Sequence, residues 1–188
     1  MDALLTSFVA AALGEWGDKT QLLVIALAAR YRRPVPILAG VFVAALANSL
    51  IAAFGGSFVH DMIVLRSSSL LVAVALIYAG VAGLIRPKPY ESAGTSRAGP
   101  FLVAAASFFV LEFGDKTQFL TFAVAARFDA FAFAAAGATA GIMMASMPAA
   151  LMGDQLAKAA PLKGIRMGLG ALFLATGLFV AVSALRLV

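Results

Sequence analysis

One sixteen-residue segment occurs twice in the chain. Residues 15–30 read EWGDKTQLLVIALAAR and residues 112–127 read EFGDKTQFLTFAVAAR, identical at eleven of sixteen positions with an offset of 97. Each copy sets a Glu, an Asp and a Lys inside an apolar stretch long enough to cross a bilayer. Ionisable groups in such stretches are costly to bury and mark functional sites by default. Their duplication points to a site assembled from two related halves.

The rest of the chain agrees with a membrane setting. Of 188 residues, 63% are hydrophobic and 12% charged, against roughly 25% charged in soluble domains. Six apolar runs have spanning length, at 3–29, 35–59, 67–86, 100–126, 129–156 and 164–186. The first run contains Glu15, Asp18 and Lys19, which a cleavable signal would not carry, so it is read as a retained first helix. The stretch PKPYESAGTSRAG, 87–99, is the polar connection between halves.

The repeat extends past the motif. At the same offset Gly40 matches Gly137, Ser49 matches Ser146, Gly56 matches Gly153 and Gly80 matches Gly177. Three spans per half is an odd number, so the second half enters the bilayer from the opposite side. The expectation is an all-α integral membrane protein of six transmembrane helices in two inverted three-helix repeats, 1–86 and 100–188, joined by the cytoplasmic linker 87–99 and forming one transmembrane domain.

Basic residues orient it. Arg30, Arg32, Arg33, Arg86, Lys88, Arg97, Lys158, Lys163 and Arg166 fall on one side, and Arg66, Arg127 and Arg186 on the other. The positive-inside rule places the nine in the cytoplasm. Loops 1–2, 3–4 and 5–6 are then cytoplasmic and both termini lie outside, in the inner membrane of the cell. The net charge of +5 is a topology signal on this reading, with no nucleic-acid partner.

In an unbroken helix Glu15, Asp18 and Lys19 share one face, whereas Thr20 lies on another. Gly17 and Gly114 permit either close helix contact or local unwinding. Inverted halves bring Glu15 and Glu112 to a common depth. Four carboxylates and two ammonium groups leave two negative charges, which one divalent cation or two protons neutralise equally. Metal ligands must be deprotonated, so metal binding expels protons. Oxygen donors suit manganese, calcium or magnesium. The absence of Cys, with a single His (His60) placed in a loop, argues against zinc and copper. Lys19, Thr20, Gln21, Asn48, Ser49, Lys116, Thr117, Gln118 and Ser146 are accessory candidates. Packing is the simpler reading for Met143, Met144 and Met147, since Leu46, Ala47 and Leu50 occupy the matching positions.

The signature Glu-x-Gly-Asp-Lys-Thr, once in the first span of each half, resembles the Golgi-type calcium/manganese transporter family and its bacterial manganese exporters, within the lysine-exporter superfamily. The likeness covers essentially the whole chain. It implies proton-coupled export of manganese, or of calcium, from the cytoplasm, by alternating access at a midplane site. Glu15, Asp18, Glu112 and Asp115 would bind the cation, which is cargo, and no prosthetic group is implied. Two other classes remain open at this point. One is an intramembrane aspartyl protease, because two Gly-Asp pairs could form a carboxylate dyad. The other is a passive divalent-cation channel.

Overall fold

A computed structural model describes residues 1–85 and 98–185. Most of the expected linker, 87–97, and the expected topology residues Arg86, Lys88, Arg97 and Arg186 lie outside the described residues. The described residues form nine helices: α1 (Asp2–Glu15), α2 (Lys19–Tyr31), α3 (Pro34–His60), α4 (Leu65–Leu84), α5 (Pro100–Glu112), α6 (Lys116–Phe128), α7 (Phe131–Met152), α8 (Asp154–Ala159) and α9 (Leu162–Leu185). Four of them, α3, α4, α7 and α9, are long and apolar enough to cross a membrane.

The first and fourth expected spans are each divided. α1 gives way to α2 at residues 16–18, and α5 to α6 at residues 113–115. At 1.5 Å per residue, α1 alone, with 14 residues, reaches about 21 Å, short of a bilayer's apolar thickness. The fifth expected span also ends early. α7 stops at Met152, and Gly153, with φ of 52°, turns the chain into the short α8. His60, expected in a loop, closes the last turn of α3, with Nδ1 2.8 Å from the Ala126 carbonyl oxygen.

Helix contacts exchange between the halves. α7 packs on α1, and α3 on α5. Both contacts are close because a glycine sits in each. A Cβ at Gly137 would stand 2.2 Å from the Leu4 carbonyl oxygen, and one at Gly40 would stand 2.4 Å from that of Phe101. Residues 40 and 137, and 4 and 101, correspond at the offset of 97. The same holds between α4 and α9. Gly80 abuts Leu174 and Gly177 abuts Ile77, and these two contacts interchange under that offset. Each half's first helix is thus packed by the other half's glycine-bearing helix.

The interior is built from small residues and polar groups. Ala11, Ala45, Ala53, Ala75, Ala104, Ala123 and Ala138 are buried, as are Glu15, Thr20, Gln21, Asn48, Glu112, Lys116 and Thr117. Large apolar side chains such as Phe54, Phe58, Leu102, Val110 and Phe179 face outward. A soluble protein buries these. With lipid as solvent, close packing through small residues holds helices together and polar groups turn inward.

Candidate functional site

The Glu-x-Gly-Asp sequence builds the same break twice. Trp16 and Phe113 have φ, ψ of −66°, 122° and −63°, 121°. Gly17 and Gly114 follow with φ of 74° and 75°. The Asp18 amide donates to the Glu15 carbonyl at 3.2 Å and the Asp115 amide to the Glu112 carbonyl at 3.0 Å. This is the pattern of a type II turn, whose third position needs positive φ and therefore favours glycine. The turn decides between the two roles left open for Gly17 and Gly114: both unwind their helices.

Gln21 and Gln118 lock these turns. Gln21 Oε1 accepts the Gly17 N–H at 2.8 Å, and Gln118 Oε1 accepts the Gly114 N–H at 2.6 Å. Their amide nitrogens reach across to the other half. Gln21 Nε2 donates to the Ala145 carbonyl at 2.8 Å, and Gln118 Nε2 lies 3.4 Å from both the Asn48 carbonyl and Asn48 Oδ1. Asn48 Nδ2 in turn donates to the Phe109 carbonyl at 3.2 Å. Both glutamines and Asn48 therefore act as braces in this arrangement. Ser49 and Ser146 are buried on α3 and α7.

The breaks free the acids from the helical face expected of them. Asp18 and Asp115 take the N-cap positions of α2 and α6 without a side-chain capping bond. Their carboxylates lie beside helix N-termini, where the backbone dipole favours negative charge. Each pairs with a lysine of the other half. Lys116 Nζ donates to Asp18 Oδ2 and lies 3.7 Å from Asp115 Oδ2, and Lys19 Nζ is 3.0 Å from Asp115 Oδ1. The two crossed pairs, Lys116 with Asp18 and Lys19 with Asp115, tie the halves together. All four groups line one cavity of about 260 Å³, walled on the other side by Tyr78, Val81 and Ala82 of α4 and by Ile85, its C-cap.

The two glutamates differ sharply. Glu15 accepts from Thr20 at Oε2 and, at 2.5 Å, from Thr117 at Oε1. Glu112 is equally buried, yet neither of its carboxylate oxygens has a hydrogen-bond partner. It lies within electrostatic range of Glu15, Asp115, Asp18 and Lys116. Thr20 and Thr117 thus both serve one carboxylate, and the other is left bare. Among the described residues no three Asp, Glu or His side chains converge at metal-binding distance, and the Lys116 ammonium lies between the two aspartates.

One buried cation was misplaced by sequence reasoning. Arg166, counted with the loop positives, lies in α9 with 6% of its surface exposed. It donates from Nη1 to the Ile85 carbonyl. Its position inside the sixth apolar run was the available signal. Met144 and Met147 point outward, half exposed, in line with packing against lipid.

Paired halves, two broken helices and an ion-paired acidic cluster enclosed in an apolar body define a membrane transporter for ions. The comparison with known proteins narrows the class. The family described as divalent cation/proton antiporter GDT1 matches residues 3–90 and again residues 100–187, and the chain belongs to it. A protein of Vibrio cholerae serotype O1 (strain ATCC 39541 / Classical Ogawa 395 / O395) named "Putative manganese exporter" is 40% identical over 185 residues, covering 96% of this chain and 91% of that one. No solved structure matches. The family is one of transporters, so the protease alternative falls.

Proposed function

We propose that the chain exports a divalent cation, manganese ahead of calcium, from the cytoplasm in exchange for protons, and that Glu15, Asp18, Glu112 and Asp115 hold that cation. The bare pair of Glu112 oxygens carries the reading. A buried carboxylate without donors is strongly unfavourable as a bare charge, and either a proton or a metal ion relieves it. The family's printed activity supports cation/proton exchange, and the name of the Vibrio relative supports manganese.

The lysines define what must happen on binding. Lys116 sits between Asp18 and Asp115, so a divalent ion takes both carboxylates only when this ammonium withdraws. Thr20 and Thr117 hold Glu15 in place and offer further oxygens. Gln21, Gln118 and Asn48 keep the turns rigid while charges exchange. Ser49 and Ser146 permit close approach of α3 and α7 to the breaks.

On this reading α1 with α2, and α5 with α6, each form one discontinuous span. With α3, α4, α7 and α9 they make six spans in two inverted repeats. The exchange of contacts at an offset of 97 supports that arrangement. The charge bias, eight positives near span ends against three once the buried Arg166 is set aside, supports a cytoplasmic linker and external termini.

The test is proton release from purified protein on addition of manganese, calcium, magnesium or zinc. Manganese should release protons at the lowest concentration, and Glu112→Gln should abolish the response in folded protein. Proteoliposomes with an imposed pH gradient should accumulate manganese against its own gradient. Equal release by all four ions, or uptake that only follows the metal gradient, would refute the proposal.

A further inference from the structure

Two apolar cavities between the helices differ in chemistry. One, of about 500 Å³, lies among α1, α4, α6 and α9. Its lining is aliphatic apart from Phe173 and two threonines, and it carries no charged group among the described residues. Lipid tails suit such a surface, being as apolar as the side chains that line it. The other, of about 630 Å³, lies between α3, α4 and α6 and includes the second break. The rings of Tyr78, Phe113, Phe119 and Phe122 line it, and Asp115 is its one charged residue among those described. Small-molecule sites have this size and make-up, about 300–1,000 Å³ of apolar and aromatic lining with a few placed polar groups.

Rings beside a carboxylate suit a lipophilic organic cation. Ring faces attract an ammonium within about 6 Å of their centres, and the carboxylate supplies the counter-charge. The rings form a continuous group: Tyr78 meets Phe119 edge-on at 6.0 Å, and Phe119 stacks on Phe122 at 6.3 Å. Asp115 retains capacity for a further cation. Lys19 pairs with Oδ1 but does not line this cavity, and Oδ2 has no hydrogen-bond donor, with Lys116 standing off at 3.7 Å.

The cavity faces the bilayer. Ile51, Val74, Tyr78 and Phe113 are exposed on the outer surface, and Val74 and Tyr78 lie midway along α4. An amphiphilic cation dissolved in lipid therefore reaches the carboxylate from the side. The first half has no equivalent. At the offset of 97 Tyr78, Phe119 and Phe122 are matched by Ala175, Leu22 and Ile25. The first break is also covered, since a Cβ at Gly17 would stand 2.4 Å from the Leu162 carbonyl oxygen, whereas one at Gly114 would meet nothing within 4 Å.

We propose that the larger cavity is a binding site for a lipophilic organic cation, an ammonium group with apolar or aromatic substituents, which enters from the bilayer and sets its charge against Asp115. Asp115 and Tyr78 also line the small cavity of the two ion pairs. Given the transport reading above, an occupant there withholds Asp115 from the divalent ion and blocks exchange.

The probe is 4-benzoylbenzyl-trimethylammonium, compared with its uncharged isostere in which a tert-butyl group replaces the trimethylammonium. Purified protein in liposomes is irradiated with each, and labelled residues are mapped by mass spectrometry. Labelling of the cavity at Asp115 is divided by labelling of the aliphatic cavity, so unequal partitioning into lipid cancels. This ratio should be at least about fivefold higher for the ammonium probe, because only the charged form gains from the rings and the carboxylate. Phe119→Leu with Phe122→Ile, which installs the residues of the first half, should lower the ammonium ratio at least about threefold, the usual worth of ring–cation contacts. Asp115→Asn should lower it as well and leave the isostere unaffected. Equal ratios for the two probes would make the cavity a seat for lipid tails and would overturn the proposal, as would a ratio untouched by the ring changes. In proteoliposomes that exchange manganese, the ammonium probe should inhibit at the concentrations that label. Full labelling with undiminished flux would overturn the block. Labelling does not depend on transport, so a lack of flux without probe counts against the transport reading alone.

Discussion

Thr117 donates its hydroxyl to Glu15 of the opposite motif at 2.5 Å, although the repeat would assign it to Glu112. Thr20 also donates to Glu15. Two motifs of the same sequence therefore leave their glutamates in opposite conditions, one doubly held and one bare. Equivalent acids of the repeat thus sit in unequal surroundings.

The glutamates should respond differently to neutralisation. Glu112→Gln removes a buried charge that has no donor, so folded stability should hold or rise while transport is lost. Glu15→Gln weakens two hydrogen bonds to a charged acceptor and should cost about 1–3 kcal/mol. Thermal unfolding in detergent compares them directly. Equal destabilisation by both changes would mean that Glu112 is as well held as Glu15.

The lysines should also separate. Lys116 is 4% exposed in its side chain and lies between two aspartates, whereas Lys19 is 30% exposed. Lys116→Met strands Asp18 in the interior and should cost about 3–5 kcal/mol, the usual penalty for breaking a buried pair from one side. Lys19→Met should cost about 1 kcal/mol or less, since its pair is partly screened by solvent. Unfolding midpoints of the two variants check the order.

Much of the site was legible because the repeat doubled the signal. Glu15, Asp18, Glu112 and Asp115 were selected as ionisable groups in apolar runs; Asp18 and Asp115 line one cavity, and Glu15 and Glu112 are buried, with Glu112 in electrostatic range of the other three. The type II turn was implicit in Gly17 and Gly114, yet spacing alone could not separate unwinding from close packing. Helical geometry put Thr20 away from Glu15, and only the break brings them together. The crossed pairing of Lys19 with Asp115 and of Lys116 with Asp18 was hidden, because partners 96 and 98 residues apart carry no local periodicity. Arg166 was misread for the opposite reason, since positives near a span's end usually serve topology.

Thr117→Val keeps the side chain's volume and removes one donor to Glu15. Glu15 is then left with Thr20 alone, and its carboxylate is less firmly placed for a cation. Losing a hydrogen bond to a charged group corresponds to about a tenfold change or more in binding. The manganese concentration for half-maximal proton release should rise by about that factor, while Thr117→Ser should remain near the parent. A shift of the same size in Thr117→Ser would place the effect in packing instead.

The matched turn glycines give the clearest contrast. Gly17→Ala and Gly114→Ala each force a side chain into a left-handed backbone, at about 1–2 kcal/mol. Only at Gly17 would the new methyl also meet a neighbour, the Leu162 carbonyl oxygen at 2.4 Å. Overpacking of that kind adds about 1–3 kcal/mol, so Gly17→Ala should be the less stable of the two by at least about 1 kcal/mol. Gly168→Ala is the control. It lies in α9 with nothing near the added methyl, and alanine's better helix propensity should raise stability by up to about 1 kcal/mol. If Gly17→Ala and Gly114→Ala unfold at the same temperature, the start of α9 does not rest on the first break in solution, because the added methyl would then meet no more resistance at Gly17 than at Gly114.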